Sequence, residues 1–112
     1  MRLLVCGSRE FNDRERVRRA LVRIKPTLVI HGGARGADVI AGQIARELGI
    51  PTEVYPALWD KYGKRAGFVR NRQMLDEGKP DLVLAFPVGE SRGTRMMMDI
   101  AAQAGVRVIC AE

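Results

Sequence analysis

The chain has 112 residues, a hydrophobic fraction of 46% and a net charge of +6, from 19 basic and 13 acidic side chains. This length suits a single domain with its own core, and no run approaches the roughly 20 apolar residues that span a bilayer. Two cysteines in apolar runs, and an apolar start too short for a signal peptide, predict a reduced cytoplasmic protein rather than a secreted or membrane protein.

Strand and helix patterns alternate along the whole chain. The predicted strands are 2–6, 27–30, 52–55, 81–86 and 106–110, and the predicted helices are 13–24, 36–48, 65–77 and 93–104. Such alternation is typical of right-handed crossover units in a parallel sheet with helices on both faces. We therefore predict an α/β fold with one Rossmann-like three-layer domain over residues 1–112.

The strand sequences also predict the order of the sheet. LLVC, TLVI and DLVLAF are continuous apolar runs, as expected for strands that are covered on both faces. TEVY alternates and RVIC carries Arg107, so both are expected at edges. The order that fits is 3-2-1-4-5, mainly parallel, and ligands bind such sheets beyond the carboxyl ends of strands 1 and 4.

The first loop, GSREFN, follows the central strand. Gly7 permits close approach of a ligand, Ser8 offers a hydroxyl and Arg9 offers a guanidinium, so we predict all three as ligand contacts. Asn12 or Asp13 is suited to cap the helix that follows. The arginines of that helix lie mostly opposite its apolar stripe, as a solvated face or as an attraction for anionic partners.

The second loop lies within VIHGGARGAD, residues 29–38, and has three glycines within five residues. A strand-to-helix turn exposes free N–H groups, and glycine lets a phosphate reach them without meeting a Cβ atom. A tight turn needs only one glycine, so the excess favours an anion site. The predicted ligand contacts in this loop are Gly32, Gly33, Arg35, Gly36 and Asp38.

His31 is the only histidine of the chain. It is expected to donate a hydrogen bond at the strand end or to act as an acid–base group. A single histidine without nearby cysteines or carboxylates does not form a metal site, so we predict neither a metal nor a cofactor. The dinucleotide pattern G-x-G-x-x-G after the first strand and the P-loop pattern G-K-[ST] are both missing from the sequence.

Residues 56–64 are predicted as a long loop that holds Trp59 and Tyr62. Either ring could stack on a base, or Trp59 could cover the edge of the core. In the third predicted helix, Asn71 and Arg72 fall on the same face as Phe68. This polar pair, together with Arg70, either bridges a neighbouring loop or points into the ligand cleft.

The loop before the last helix, residues 87–94, reads PVGESRGT. Gly93 and Thr94 at a helix start are predicted to bind a second phosphate, with Arg92 beside them, while Ser91 or Thr94 could instead be a cap. The same helix carries Met96, Met97 and Met98 in a row, which one core is not expected to bury together. A homo-oligomer is therefore a candidate assembly.

Four motifs occur in one order along the chain: GSREFND, HGGARGAD, W-x-x-x-G-x-x-A-G followed by RNRQML, and a late GT before a helix. On these motifs the chain resembles the YspA-like branch of the SLOG superfamily, whose Rossmann-like domains are related to LOG phosphoribohydrolases and to the DNA-processing protein DprA. The resemblance implies a site for a nucleotide or a nucleotide derivative, formed by the glycine loops of a sensor or an enzyme.

One departure bears on catalysis. LOG-type hydrolases carry P-G-G-x-G-T-x-x-E, whose glutamate acts on the N-glycosidic bond, and Met97 stands in its position here. Glu10 and Asp38 remain as candidate catalytic carboxylates. We therefore expect a nucleotide-binding sensor or processing protein, with an N-glycosidase of nucleoside monophosphates as the first alternative. DprA-like binding of nucleic acid, suggested by the charge of +6, is the second.

Overall fold

The computed structural model describes residues 1–111 and has the predicted α/β fold. Its five strands are all parallel and follow the predicted order, β3-β2-β1-β4-β5. The strands are β1 Arg2–Gly7, β2 Leu28–His31, β3 Thr52–Val54, β4 Leu82–Phe86 and β5 Arg107–Cys110. β1 is central because its apolar run can be buried on both faces, whereas the short β3 and β5 form the edges.

The helices are α1 Arg14–Ile24, α2 Ala37–Glu47, α3 Trp59–Tyr62, α4 Ala66–Gly78 and α5 Arg92–Gln103. The short α3 and the first two residues of the 3₁₀ turn Gly63–Arg65 lie in the predicted loop 56–64. Neither turn buries a residue, so no apolar period marks them in the sequence. Within residues 1–111, every helix is too short or too polar to cross a membrane.

Alternate residues of β1 divide the core into two halves. Leu3 and Val5 pack with α1 and α2 on one face of the sheet. Leu4 and Cys6 pack with α4 and α5 on the other face. This alternation gives the predicted three layers. Because the strands are parallel, the loops that follow β1, β2 and β4 lie at a common edge of the sheet.

The three methionines in a row on α5 are buried to different extents. Met97 is fully buried, and the half-buried Met96 and Met98 pack against the same apolar cluster. The flexible thioether side chains fit around the helix where branched residues would not. The core therefore buries one of the three methionines fully, as the expectation that it does not bury all three requires, and homo-oligomerisation stays a prediction.

The basic side chains of α1 are partly neutralised within the fold. Arg14 Nη2 lies 2.6 Å from a carboxylate oxygen of Glu47, and Arg18 pairs with the same carboxylate. The guanidinium of Arg16 lies 5.8 Å from the ring centroids of Phe11 and Phe86. These contacts agree better with a solvated, self-paired face than with a nucleic-acid surface.

Candidate functional site

A cavity of about 520 Å³ opens at the carboxyl end of β1. We call it the main cavity. Residues from β1, the loop after β1, the glycine loop before α2, α3, α4 and the start of α5 line it. Because the sheet order reverses at β1, this is the switch point at which the strand order predicts a ligand site.

The loop after β1 is held mainly by contacts within the chain. A Cβ atom at Gly7 would lie 2.5 Å from the Cβ of Ala37 and 2.7 Å from the carbonyl oxygen of Phe86. Ser8 donates its amide to Phe86 and accepts hydrogen bonds from the amides of Glu10 and Ala37. Gly7 and Ser8 both border the main cavity, but packing and turn geometry already explain them.

Arg9 also borders the main cavity and is the least constrained residue of this loop. Its side chain is exposed, and it makes no hydrogen bond or ion pair with any residue from 1 to 111. Arg35, by contrast, lies outside the main cavity, with its guanidinium 3.4 Å from the carboxylate of Glu10. Arg9 is thus better placed than Arg35 to contact a ligand there.

The glycine loop between β2 and α2 differs from the sequence prediction. Oδ2 of Asp38 accepts hydrogen bonds from the amides of Gly32 at 3.1 Å and Ala34 at 3.4 Å. Nδ1 of His31 accepts one from the amide of Gly33 at 3.1 Å. Three successive N–H groups are engaged by the chain itself, so the expectation that these amides stand open to a phosphate is wrong.

The glycines of this loop admit neighbouring parts of the same chain. A Cβ atom at Gly36 would lie 2.2 Å from the carbonyl oxygen of Ser8, and φ at Gly36 is 88°. A Cβ atom at Gly32 would lie 2.2 Å from Nη1 of Arg70, which donates a hydrogen bond to the Gly32 carbonyl at 2.8 Å. Close approach therefore explains these glycines without any bound molecule.

Asp38 is the buried carboxylate of the main cavity, with only 5% of its surface exposed. Burial raises the pKa of Asp38 to about 6, against the opposing effects of the Arg70 charge and the two backbone hydrogen bonds. Oδ1 has no hydrogen-bond partner among residues 1–111. The wall of the cavity therefore carries a carboxylate whose Oδ2 accepts two hydrogen bonds and whose Oδ1 accepts none from these residues.

Cys6 forms part of the cavity floor but is not a candidate nucleophile. It is buried at the end of β1, and burial raises the pKa of its thiol far above the ordinary value. The nearby carboxylate of Asp38 acts in the same direction. A neutral thiol is a poor nucleophile, so Cys6 contributes packing rather than reactivity.

His31 supports the glycine loop from below. Burial lowers its pKa, as do the charges of Arg46 and Arg70, so the ring is neutral near pH 7. Because Nδ1 accepts the Gly33 amide, the proton lies on Nε2, where a Cβ atom at Gly42 would be only 2.7 Å away. Nε2 has no partner within residues 1–111. The hydrogen bond that His31 makes at the strand end is the one it accepts at Nδ1, not a donated one as expected.

One face of α4 forms a wall of the main cavity. Residues 67, 70, 71 and 74 share this face at helical spacing, with Phe68 beside it at the rim. Arg72 lies one helical step farther round, and its guanidinium is 3.6 Å from Asp76. The expectation that Arg72 enters the cleft is therefore wrong, and Arg70 takes that place.

Asn71 joins α4 to the beginning of α5. It is buried, and its Nδ2 donates hydrogen bonds to the carbonyl of Gly93 at 3.2 Å and to the sulfur of Met96 at 3.1 Å. Its Oδ1 accepts a hydrogen bond from Nε of Arg70 at 3.0 Å. Arg70 and Asn71 together therefore fix the glycine loop and the first turn of α5 on opposite sides of the cavity.

The first turn of α5 leaves its backbone amides open. The first hydrogen bond into this turn runs from the Arg95 amide to the Ser91 carbonyl, at 2.9 Å. The amides of Arg92, Gly93 and Thr94 have no acceptor among residues 1–111, and all three residues line the cavity. No acidic residue occurs in this turn, and a Cβ atom at Gly93 would meet nothing within 4 Å.

Two aromatic rings stand at the rim of the main cavity. Trp59 and Phe68 border it and are half exposed, at 50% and 53%. Tyr62 lies outside the main cavity, in a separate groove with Lys61. Of the two rings considered for base stacking, only Trp59 is thus at this site, and Phe68 was missed because its helical position predicts an inward side chain.

The candidate catalytic carboxylates occupy different environments. Glu10 is an exposed residue at the cavity rim, whereas Asp38 is buried in its wall. Met97, in the position of the hydrolase glutamate, is fully buried in the core and does not border the cavity. Within residues 1–111, no cluster of three or more His, Cys, Asp or Glu side chains could hold a metal ion.

The fold and the cavity define a Rossmann-like α/β domain with a candidate site at its switch point. Residues 1–62 match the family described as YspA, cpYpsA-related SLOG family. The chain is also 44% identical over 118 residues to the Gene 61 protein of Mycobacterium phage D29, covering 96% of this chain and 94% of that protein. The chain belongs to the YspA, cpYpsA-related SLOG family, as its motifs predict.

Proposed function

We propose that this protein binds a nucleotide or a nucleotide-derived ligand in the main cavity, as a sensor or a nucleotide-processing protein. The observation that carries the proposal is the row of open amides at Arg92, Gly93 and Thr94, which borders the cavity at the switch point. A phosphate of the ligand lies against this first turn of α5. The membership of the SLOG family is compatible with this function.

The chemistry of the turn suits an anion. The helix dipole places about half a positive charge at its N-terminus, and each hydrogen bond to a charged group contributes roughly 1.5–3 kcal/mol. The side chains of Arg9 and Arg92 are exposed beside the cavity and can add charge-assisted contacts. The hydroxyl of Thr94 makes no hydrogen bond with residues 1–111 and can donate to the same anion.

The remaining features suit a nucleoside. A cavity of about 520 Å³ lies within the range of roughly 300–1,000 Å³ that is typical of small-molecule sites. Trp59 and Phe68 offer flat apolar surfaces at its rim, where a base can stack. The phosphate at α5 and the base at the rim leave the sugar beside the inner wall.

Isothermal titration calorimetry with AMP, GMP, CMP and UMP tests the proposal. We expect at least one saturable ligand, and we expect Gly93→Val to weaken it by about tenfold or more, because the new side chain covers the amides. Ala102→Val is the control, since it places valine at an exposed position of α5 outside the main cavity. Full affinity in the Gly93→Val protein would contradict the placement of the phosphate.

Asp38 favours one second candidate, hydrolysis of an N-glycosidic bond in a nucleoside monophosphate. A carboxyl group whose pKa is about 6 is suited to proton transfer near neutral pH, and Asp38 borders the cavity. Chromatography of nucleoside monophosphates incubated with the protein should then show free base, and Asp38→Asn should abolish its release. Asp76→Asn, which removes a carboxylate from the exposed side of α4, is the control. A complete lack of base release from the panel rules this activity out.

A further inference from the structure

The main cavity is bordered by the starts of two helices, and only one of them is filled by the chain itself. At α2, Oδ2 of Asp38 already accepts the amides of Gly32 and Ala34. At α5, no carboxylate occupies the first turn. The two ends of the cavity therefore suit different chemical groups. The end at α5 suits an anion, and the end at α2 suits a group that can donate a hydrogen bond to a carboxylate.

Oδ1 of Asp38 is free to accept a hydrogen bond from a ligand in the main cavity. The residue is only 5% exposed and borders the cavity, yet Oδ1 has no partner within residues 1–111. Arg70 does not supply one in this structure, because the hydrogen bonds of its guanidinium run from Nη1 to the Gly32 carbonyl and from Nε to the Asn71 side chain, and none reaches Asp38. Oδ1 is open to the cavity, and a hydrogen bond to a charged acceptor is stronger than one between neutral groups, so a bound ligand that donates to this oxygen is stabilised.

The charges around Asp38 select a neutral donor. A phosphate would be repelled by the carboxylate, and an ammonium group would be repelled by the guanidinium of Arg70, whose charge acts on Asp38. A hydroxyl group can donate to the carboxylate without either penalty. In a nucleotide with its phosphate at α5 and its base on Trp59 and Phe68, the hydroxyl groups that reach the inner wall belong to the sugar.

We propose that Oδ1 of Asp38 accepts a hydrogen bond from a ribose hydroxyl, and that the protein selects ribonucleotides over deoxyribonucleotides. The inference rests on the proposed function, because it assumes that a nucleotide occupies the main cavity. The inference specifies ribose as the sugar of the ligand, and it assigns to the glycine loop the role of positioning Asp38. The loop amides hold Oδ2, which fixes the carboxylate so that its other oxygen faces the ligand.

The first test uses the unaltered protein. Calorimetry compares whichever of AMP, GMP, CMP and UMP binds most tightly with its 2′-deoxy, 3′-deoxy and 2′-deoxy-2′-fluoro analogues. A site that hydrogen-bonds a substrate hydroxyl rejects the analogue that lacks it, so we expect at least one deoxy analogue to bind about tenfold more weakly or worse. If the 2′-hydroxyl is the donor, the fluoro analogue binds as weakly as the 2′-deoxy analogue, because fluorine cannot donate.

The second test uses Asp38→Asn, whose amide oxygen can still accept the two loop amides while the charge at the cavity is lost. We expect the preference for ribose to fall by about tenfold, because the amide nitrogen takes the place of Oδ1 and cannot accept a hydrogen bond from the hydroxyl. Asp76→Asn, with an equal charge change outside the cavity, keeps the full preference.

The outcomes separate this inference from the proposed function. Equal affinity of the unaltered protein for the ribose and all deoxy forms overturns the role of Asp38 and leaves nucleotide binding intact. An undiminished preference in folded Asp38→Asn, verified by circular dichroism, also overturns it. If no ribonucleotide or deoxyribonucleotide binds, both the proposed function and this inference fail.

Discussion

The loops before α2 and α5 look alike in sequence, but the backbone amides are hydrogen-bonded by the chain in the first and open in the second. Both follow a strand of the same parallel sheet, both carry glycine, and both begin a helix at the main cavity. The second residue of α2 is Asp38, whose carboxylate folds back onto the loop amides. The second residue of α5 is Gly93, which leaves its turn open. The number of glycines therefore does not identify a phosphate site, because an acidic residue at the start of the helix can itself engage the amides of the loop.

Exchanging glycine for alanine gives the largest expected contrast between the two loops. Gly36→Ala should destabilise the fold by roughly 3 kcal/mol or more, because its Cβ would lie 2.2 Å from the Ser8 carbonyl in a backbone with φ of 88°. Gly93→Ala should change the free energy of unfolding by less than about 1 kcal/mol, since nothing lies within 4 Å of its Cβ position. Urea unfolding measures both, and similar losses would mean that the two loops are equally constrained.

The pH dependence of the unfolding free energy tests whether burial of the Asp38 carboxylate in the α2 loop disfavours its charged form. Its pKa rises from an ordinary value of 3.8 to about 6, so the folded chain holds this proton more tightly than the unfolded chain. The stabilisation from the protonated Asp38 carboxyl is fully present below about pH 3.8 and is lost as the pH rises through about 6. Relative to Asp38→Asn, the unaltered protein should lose on the order of 2–3 kcal/mol between pH 3.5 and 7.

Urea unfolding of both proteins at several pH values gives that difference directly. Asp38→Asn is the reference because it lacks the titrating group and keeps an acceptor for the loop. The other carboxylates titrate in both proteins and cancel in the comparison. A difference in unfolding free energy that does not change with pH would show that Asp38 is not desolvated.

The smallest expected effects concern two arginines, Arg35 in the loop before α2 and Arg9 in the loop after β1. Arg35→Ala should alter stability by less than about 0.5 kcal/mol, because its ion pair with Glu10 is exposed and 3.4 Å long. It should also leave nucleotide affinity within about threefold, since Arg35 lies outside the main cavity, whereas Arg9→Ala should weaken binding by about fivefold or more. Calorimetry on both variants measures the two losses of nucleotide affinity. A larger loss in Arg35→Ala than in Arg9→Ala would indicate that the anion binds at the α2 loop.

The sequence predicts the architecture better than the orientation of side chains at the site. Continuous apolar runs identified the inner strands and hence the order of the sheet, and Asp13 does cap α1, accepting a hydrogen bond from the Arg16 amide. Hydrophobic pattern determines these features directly. The capture of the loop amides by Asp38 depends on one side-chain torsion, which no periodicity records.

The assignment of α4 shows the same limit in another form. The sequence pattern predicts the helix face that contains Phe68 and Leu75 as the cavity face, and this face includes Arg72. The observed cavity face contains Arg70 and Asn71 instead. An error of one residue turns a helix by about 100°, which is enough to exchange a cavity residue for a surface one. The sequence could identify the helix, but its rotation depends on packing against the sheet.

The Ser8 carbonyl, which accepts the amides of both Phe11 and Ala37, has a consequence for the rate of binding. It ties the loop after β1 to the start of α2, so this side of the cavity has no separate hinge. The opposite rim carries the half-exposed rings of Trp59 and Phe68. Ligand entry should then require only rotation of exposed side chains, which takes picoseconds to nanoseconds, and not the microsecond closure of a lid.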